Sequence, residues 1–118
     1  MRLTVDEART LVERVMVAHE HSGEYAAIIA GHIVDCELRG LAYGGLARVV
    51  SIIERLARTG APKQEVQVDH ATPVSARLKG HDNLGYVVAH KATEIAVEKA
   101  CAMGLAMVGA DRTWYTGM

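Results

Sequence analysis

The chain has 118 residues, half of them apolar, which is enough for one modest hydrophobic core. Thirteen basic residues stand against fourteen acidic ones, for a formal charge of −1. No strong surface field therefore favours nucleic acid or an anionic membrane as a partner.

Thr4-Val5-Asp6-Glu7 reads as a capping box, in which the threonine hydroxyl and the glutamate carboxylate each accept a backbone N–H at the helix start. Behind it Val5, Ala8, Leu11, Val12, Val15 and Met16 recur at helical spacing, and the helix should end near His19–His21. Ser22 is the next cap. The second helix then carries Ala26, Ile29, Ala30, Ile33 and Val34 inward and stops at Gly40. A third is expected from about Gly45, burying Leu46, Val49, Val50, Ile53, Leu56 and Ala57, with Gly60 and Pro62 ending it.

The period then changes from helical to alternating. Residues 65–68 and 74–78 read as strands, with Ala71-Thr72-Pro73 between them, and Gly80-His81-Asp82-Asn83 reads as a turn. A fourth helix is expected from about Leu84 to Met103, with Val87, Val88, Ile95, Ala96 and Ala100 inward. Leu105-Ala106-Met107-Val108-Gly109 reads as a buried strand. The fold class is α/β in the broad sense, α+β in arrangement: a three-helix layer followed by a β-β-α-β unit. It is read as a single domain over 1–118, helical over 1–60 and opening a sheet over 61–118. That sheet has few elements with which to close, so its edge near Leu105–Gly109 is expected to need a companion chain or self-association.

Residues 1–20 lack the apolar run of a signal peptide, being interrupted by Asp6, Glu7, Arg9, Glu13 and Arg14. No stretch approaches the length of a membrane span, and the cytoplasm is the default location. Cys36 and Cys101 each fall inside an apolar helical pattern and read as buried small hydrophobes of a reducing compartment.

Few constellations suggest chemistry. His19-Glu20-His21 places two imidazoles two apart on a helix, on different faces, so it reads as a solvated helix end and not as a metal site. Asp35 and Arg39 are spaced for a surface ion pair. His32 and Cys36 lie one turn apart but lack further metal ligands at useful spacing, and no metal is expected. Gly44-Gly45 gives a mobile or closely approached backbone. Gly80 and Gly85 do not have the spacing of a dinucleotide fingerprint.

The segment 33–40, ending in Asp35-Cys36-Glu37-Leu38-Arg39-Gly40, and then Gly45-Leu46-Ala47-Arg48, resembles the malate/L-lactate dehydrogenase family that includes ureidoglycolate dehydrogenases. That family shows Asp-x-x-Leu-Arg-Gly, then Ser-His-Gly, then an Arg three residues on. Gly80-His81-Asp82-Asn83-Leu84-Gly85 and the helix after it resemble the family's glycine-rich turn. The likeness implies a non-Rossmann fold with a largely antiparallel cofactor sheet and an active site at a dimer interface. It also implies hydride transfer between NAD or NADP and a small 2-hydroxy, 2-oxo or cyclic imino acid. Arg48 would hold the substrate carboxylate.

Tyr43-Gly44-Gly45 departs from Ser-His-Gly, so the imidazole that would move a proton is absent. Arg112-Thr113-Trp114-Tyr115-Thr116-Gly117 falls on the family's Asn-Ser-Asn-His-Phe-Gly loop, with Tyr115 in place of the second histidine. The resemblance leaves Tyr43 and Tyr115 as candidate catalytic residues, Arg48 as substrate-binding, and Thr116 and Gly117 as cofactor-binding. It implies a truncated or split subunit that a companion chain completes. The alternative is a repurposed non-redox protein that binds a small carboxylate at a homo-oligomer interface.

Overall fold

The computed structural model describes residues 1–116, which divide into two compact units, 1–61 and 62–116. Helix α1 (Val5–Ala18) opens on the expected capping box: Glu7 N–H donates to Thr4 Oγ1 (3.1 Å) and Thr4 N–H to Glu7 Oε2 (2.7 Å). The Thr4 N–H bond to the charged carboxylate, with a smaller contribution from the Thr4 side chain, holds the Glu7 carboxyl below its ordinary range. Ala8, Val12 and Met16 are buried, while Val5 and Leu11 at the stripe's margins are exposed. Helix α2 (Gly23–Leu38) is capped by Ser22, whose hydroxyl accepts from Tyr25 N–H, and α1 packs against it. Ile29, Ala30 and Ile33 are fully buried. Each of the two isoleucines contributes about 1.5–3 kcal/mol through the apolar surface it removes from water.

The α1–α2 junction differs from a solvated helix end. His21 is only 8% exposed. Glu20 takes a left-handed backbone (φ 68°), folding the chain back so that His21 Nδ1–H donates to the His19 carbonyl at 3.3 Å. That bond leaves Nε2 as a buried lone pair without a donor. Burial pushes the His21 pKa down, because protonation would place an unsatisfied N–H and a charge inside the protein. A group depressed in this way lets the unfolded chain take up the proton first. Stability is therefore full above pH about 6.5 and falls as the pH drops below it. The urea midpoint of wild type is expected to decrease between pH 7.5 and 5.5 more steeply than that of His21→Gln. Parallel profiles would contradict this account.

Helix α3 (Ala47–Thr59) starts two residues later than expected and ends at Gly60 (φ 77°). Ile52 and Leu56 are its buried residues, with Val49 and Ile53 half-buried. Val50 and Ala57 are exposed, contrary to expectation. Positions 49, 52, 53 and 56 form one narrow face at the 3.6 period, and 50 and 57 lie off it.

In the second unit β1 (Gln67–Thr72) pairs antiparallel with β2 (Ser75–Leu84), and β2 pairs parallel with β3 (Met107–Trp114), in the order β1-β2-β3. The tight Pro73-Val74 turn permits only the antiparallel sense. The crossover through α4 (Gly85–Met103) produces the parallel one. Gly80–Asn83 is not a turn between elements but a bulge inside β2, where the register with β3 shifts between Lys79 and Asn83. His81 (φ 50°) and Asp82 (φ 60°) both adopt left-handed backbone there. Turn-forming residues suit a bulge for the same conformational reason that they suit a turn.

Helix α4 is buried over its first turn, Gly85 to Val88, and packs on β2 and β3. Ile95, Ala96 and Ala100 are half-buried, and the helix ends at left-handed Gly104. Cys36 is buried as expected, but Cys101 is exposed because it falls on the outer side of α4. The strand expected over 105–109 is instead β3, from Met107 to Trp114, and it is not buried: Met107 and the preceding Leu105 are each 74% exposed, and β3 is an edge of the sheet among the described residues. Asp69, Arg77, Lys79 and Asp111 form an exposed ion cluster across the strands, in which the Lys79 hydrogen bond holds Asp69 below its usual carboxylate range. Among the described residues no helix is long and apolar enough to cross a membrane.

Candidate functional site

The first constellation joins the end of α2 to the start of α3. At the close of α2, Gly40 (φ 72°) turns the chain, and Leu41 N–H donates back to the Cys36 carbonyl at 2.9 Å. The N–H groups of Gly44 and Gly45 both donate to the Leu41 carbonyl (2.9 and 3.0 Å), coiling the loop against the last turn of α2. Both glycines lie close against the last turn of α2. A Cβ on Gly44 would lie 3.2 Å from Cys36 Sγ, and one on Gly45 would collide with the Glu37 carboxylate.

Tyr43 stands on this loop, 66% exposed. Arg48 lies in the first turn of α3, half-buried, close enough for its positive charge to act on the Cys36 thiol. Burial is nevertheless the stronger influence and raises the Cys36 pKa, with Asp35 acting in the same direction. The group is thus a neutral thiol and a poor nucleophile at neutral pH. Cys36 Sγ lies 3.5 Å from His32 Nε2, and burial lowers the pKa of that imidazole. The Asp35–Arg39 pair forms on the surface at 2.8 Å.

Sequence reasoning passed over Glu37. Its Oε2 accepts the N–H of Leu46 at 2.8 Å, at the start of a helix whose own N-cap side chain makes no hydrogen bond. The available signal was a glycine pair following an acidic residue on the preceding helix.

The second constellation lies where β3 meets the bulge of β2. Trp114 Nε1–H donates to the Asp82 carbonyl (2.7 Å), and Thr113 Oγ1 donates to the Asn83 carbonyl (3.0 Å). Arg112 pairs with the Asp82 carboxylate at 3.2 Å. Buried Asn83 donates from Nδ2 to the carbonyls of Gln64 and Gly80, both at 2.8 Å. Arg112 (φ 52°) and Tyr115 (φ 50°) are left-handed, so four non-glycine residues in strained backbone gather in this one place. Such strain persists only where surrounding bonds over-determine it. Tyr115 sets its ring at 5.1 Å and 63° to Trp114, and both Tyr115 and Thr116 are exposed. Gly117 lies outside the described residues.

Tyr43 and Arg48 thus belong to one loop-and-helix start in the first unit, and Tyr115 and Thr116 to a strand end in the second. Among the described residues no cluster of three or more His, Cys, Asp or Glu side chains could hold a metal ion.

Comparison with known proteins adds a pattern to this geometry. The sequence profile of malate/L-lactate dehydrogenases matches residues 3–118. The chain is 32% identical over 120 residues to a malate/(S)-sulfolactate dehydrogenase of Methanothermus fervidus, covering all of this chain and 35% of that one. It is 28% identical over 118 residues to a ureidoglycolate dehydrogenase (NAD(+)) of Escherichia coli, covering 99% of this chain and 34% of that one. Among solved structures it is similar to the sulfolactate dehydrogenase of Methanocaldococcus jannaschii, with TM-score 0.94 and 28% identity over all of this chain and 35% of that one. The malate dehydrogenase of Pyrococcus horikoshii OT3 gives TM-score 0.92 and 25% identity over all of this chain and 34% of that one. The chain therefore spans about a third of the length of these relatives.

Proposed function

Because the chain belongs to the malate/L-lactate dehydrogenase family, we propose that it forms part of an NAD(P)-linked oxidoreductase for a small 2-hydroxy, 2-oxo or imino acid, completed by a companion chain. The observation that carries this reading is the edge of β3, where Leu105 and Met107 stand exposed beside a strand with one side unpaired among the described residues. An apolar edge of this kind is a template for further strands. In the proposed role Arg48 meets the substrate carboxylate by charge-assisted hydrogen bonds. Tyr43, on the same loop-and-helix start of the first unit, and Tyr115, in the second unit, are separate candidates for the proton-transferring hydroxyl.

A nicotinamide nucleotide, when bound, supplies or accepts the hydride. The described residues do not by themselves make its cradle. Gly80 and Gly85, where a backbone could have been open to a phosphate, are covered by the backbone of residues 111–112 and 115–116. Nucleotide recognition is assigned to polypeptide outside these residues, with Thr116 and Gly117 at its margin.

A second reading, a repurposed carboxylate-binding homo-oligomer without redox chemistry, draws on Gly44. The position where the family carries an imidazole is here closed against Cys36. Native mass measurement of the particle, with copurifying chains identified, separates the two. The expected result is a heteromeric particle that turns over malate, lactate or ureidoglycolate with NAD or NADP, while the chain alone does not. Arg48→Ala should lower kcat/KM about 10- to 100-fold, as loss of a charged hydrogen bond does. A particle containing only this chain and binding no nicotinamide would exclude the oxidoreductase reading.

A further inference from the structure

Helix α3 begins under an electrostatic handicap. Its first turn holds no acidic residue but does hold Arg48, and a cation at the positive end of a helix dipole is unfavourable. Its N-cap residue, Leu46, offers no side-chain acceptor. Both deficits are met from another helix. The Glu37 carboxylate, nine residues earlier on α2, accepts the Leu46 N–H at 2.8 Å and brings a negative charge to that end. Gly45 lies 3.3 Å from Glu37 Cα by its virtual Cβ, so the loop runs directly over the residue that holds it. Arg48 N–H in turn donates to the Gly45 carbonyl at 2.9 Å, linking the tied loop to the arginine.

We propose that Glu37 is a positioning residue for carboxylate recognition: it ties the start of α3 to the end of α2 and so fixes where Arg48 stands. The proposal rests on the reading of Arg48 as the carboxylate anchor. Glu37 touches no substrate itself. Its effect is to remove the conformations of the 41–46 loop in which the guanidinium would have to be reordered on binding.

The test compares wild type, Glu37→Ala and Glu37→Gln in two measurements on the chain as purified. Malate affinity is read by calorimetry, and backbone exchange of Leu46 by NMR. Glu37→Ala is expected to bind malate roughly fivefold more weakly, the effect of losing one helix cap, with Leu46 exchanging at least as much faster. Glu37→Gln keeps an acceptor oxygen at the same reach and should restore most of both. If Glu37→Ala does not fold, Glu37→Gln with wild-type exchange and affinity still supports the tie. Equal Leu46 exchange in wild type and Glu37→Ala would overturn the tie. A lost tie with unchanged affinity would overturn the role in recognition. Wild type that binds no malate would overturn the carboxylate reading of Arg48 and the recognition role with it, while faster Leu46 exchange in Glu37→Ala would show that the tie itself stands.

Discussion

Replacing Gly85 by alanine is expected to destabilise the second unit by up to about 2 kcal/mol or to detach the end of β3 from it. In a helix interior the same change normally stabilises by about 1 kcal/mol, because alanine loses less backbone entropy than glycine. At Gly85, in the first turn of α4, the added Cβ would lie 2.5 Å from Thr116 Cα and from the Tyr115 carbonyl oxygen. Both are main-chain atoms, so no rotamer change can relieve the overlap. Overpacking of this kind costs about 1–3 kcal/mol and here outweighs the helix propensity gain. Gly31, inside α2, provides the opposite control, since a Cβ there meets nothing within 4 Å. Gly31→Ala should raise stability where Gly85→Ala lowers it. The sole tryptophan, Trp114, stands directly before the affected segment and reports on it by fluorescence during urea unfolding. A Gly85→Ala midpoint equal to or above wild type would refute the close approach.

That glycine also shows where sequence reasoning reached and where it stopped. The capping box at Thr4, the Ser22 cap and the glycines closing α2, α3 and α4 were legible because each acts within a few residues of itself. Gly80 and Gly85 could be read as backbone punctuation, but their reason is contact with residues about thirty positions later, which no local pattern encodes. The bulge of β2 was read as a turn on the same account: left-handed residues at His81 and Asp82 serve either structure, and the Trp114 and Thr113 bonds decide between them. The exposure of β3 was illegible for a related reason. An apolar run identifies a strand without saying what covers it. At the first constellation, the loop sequence exposed the departure at Tyr43-Gly44 from the family's Ser-His. It did not disclose that Glu37 and Cys36 occupy the space the glycines leave.

That occupied space leads to a second strong effect. Introducing histidine at Gly44 is expected to fail alone and to succeed with Cys36→Ala. A Cβ at position 44 would sit 3.2 Å from Cys36 Sγ and 3.5 Å from Cys36 Cβ, and Cys36 is fully buried, with little freedom to withdraw. Gly44→His by itself should therefore cost about 1–3 kcal/mol through overpacking. Cys36→Ala removes the sulfur and opens room for the side chain, at the expense of a small cavity in the single variant. The two changes should consequently be non-additive, with a coupling of about 0.5–3 kcal/mol in favour of the double variant, measured by urea unfolding of all four proteins. If the chain forms the oxidoreductase proposed above and lacks an efficient proton-transferring group at this position, the double variant should also turn over faster. General acid–base catalysis by a placed imidazole contributes about 10²–10⁴ in rate. Strictly additive unfolding energies would show that Cys36 and position 44 do not compete for the same space. Coupling without any gain in turnover would assign proton transfer to another group, and Tyr43 and Tyr115 are the residues to replace next.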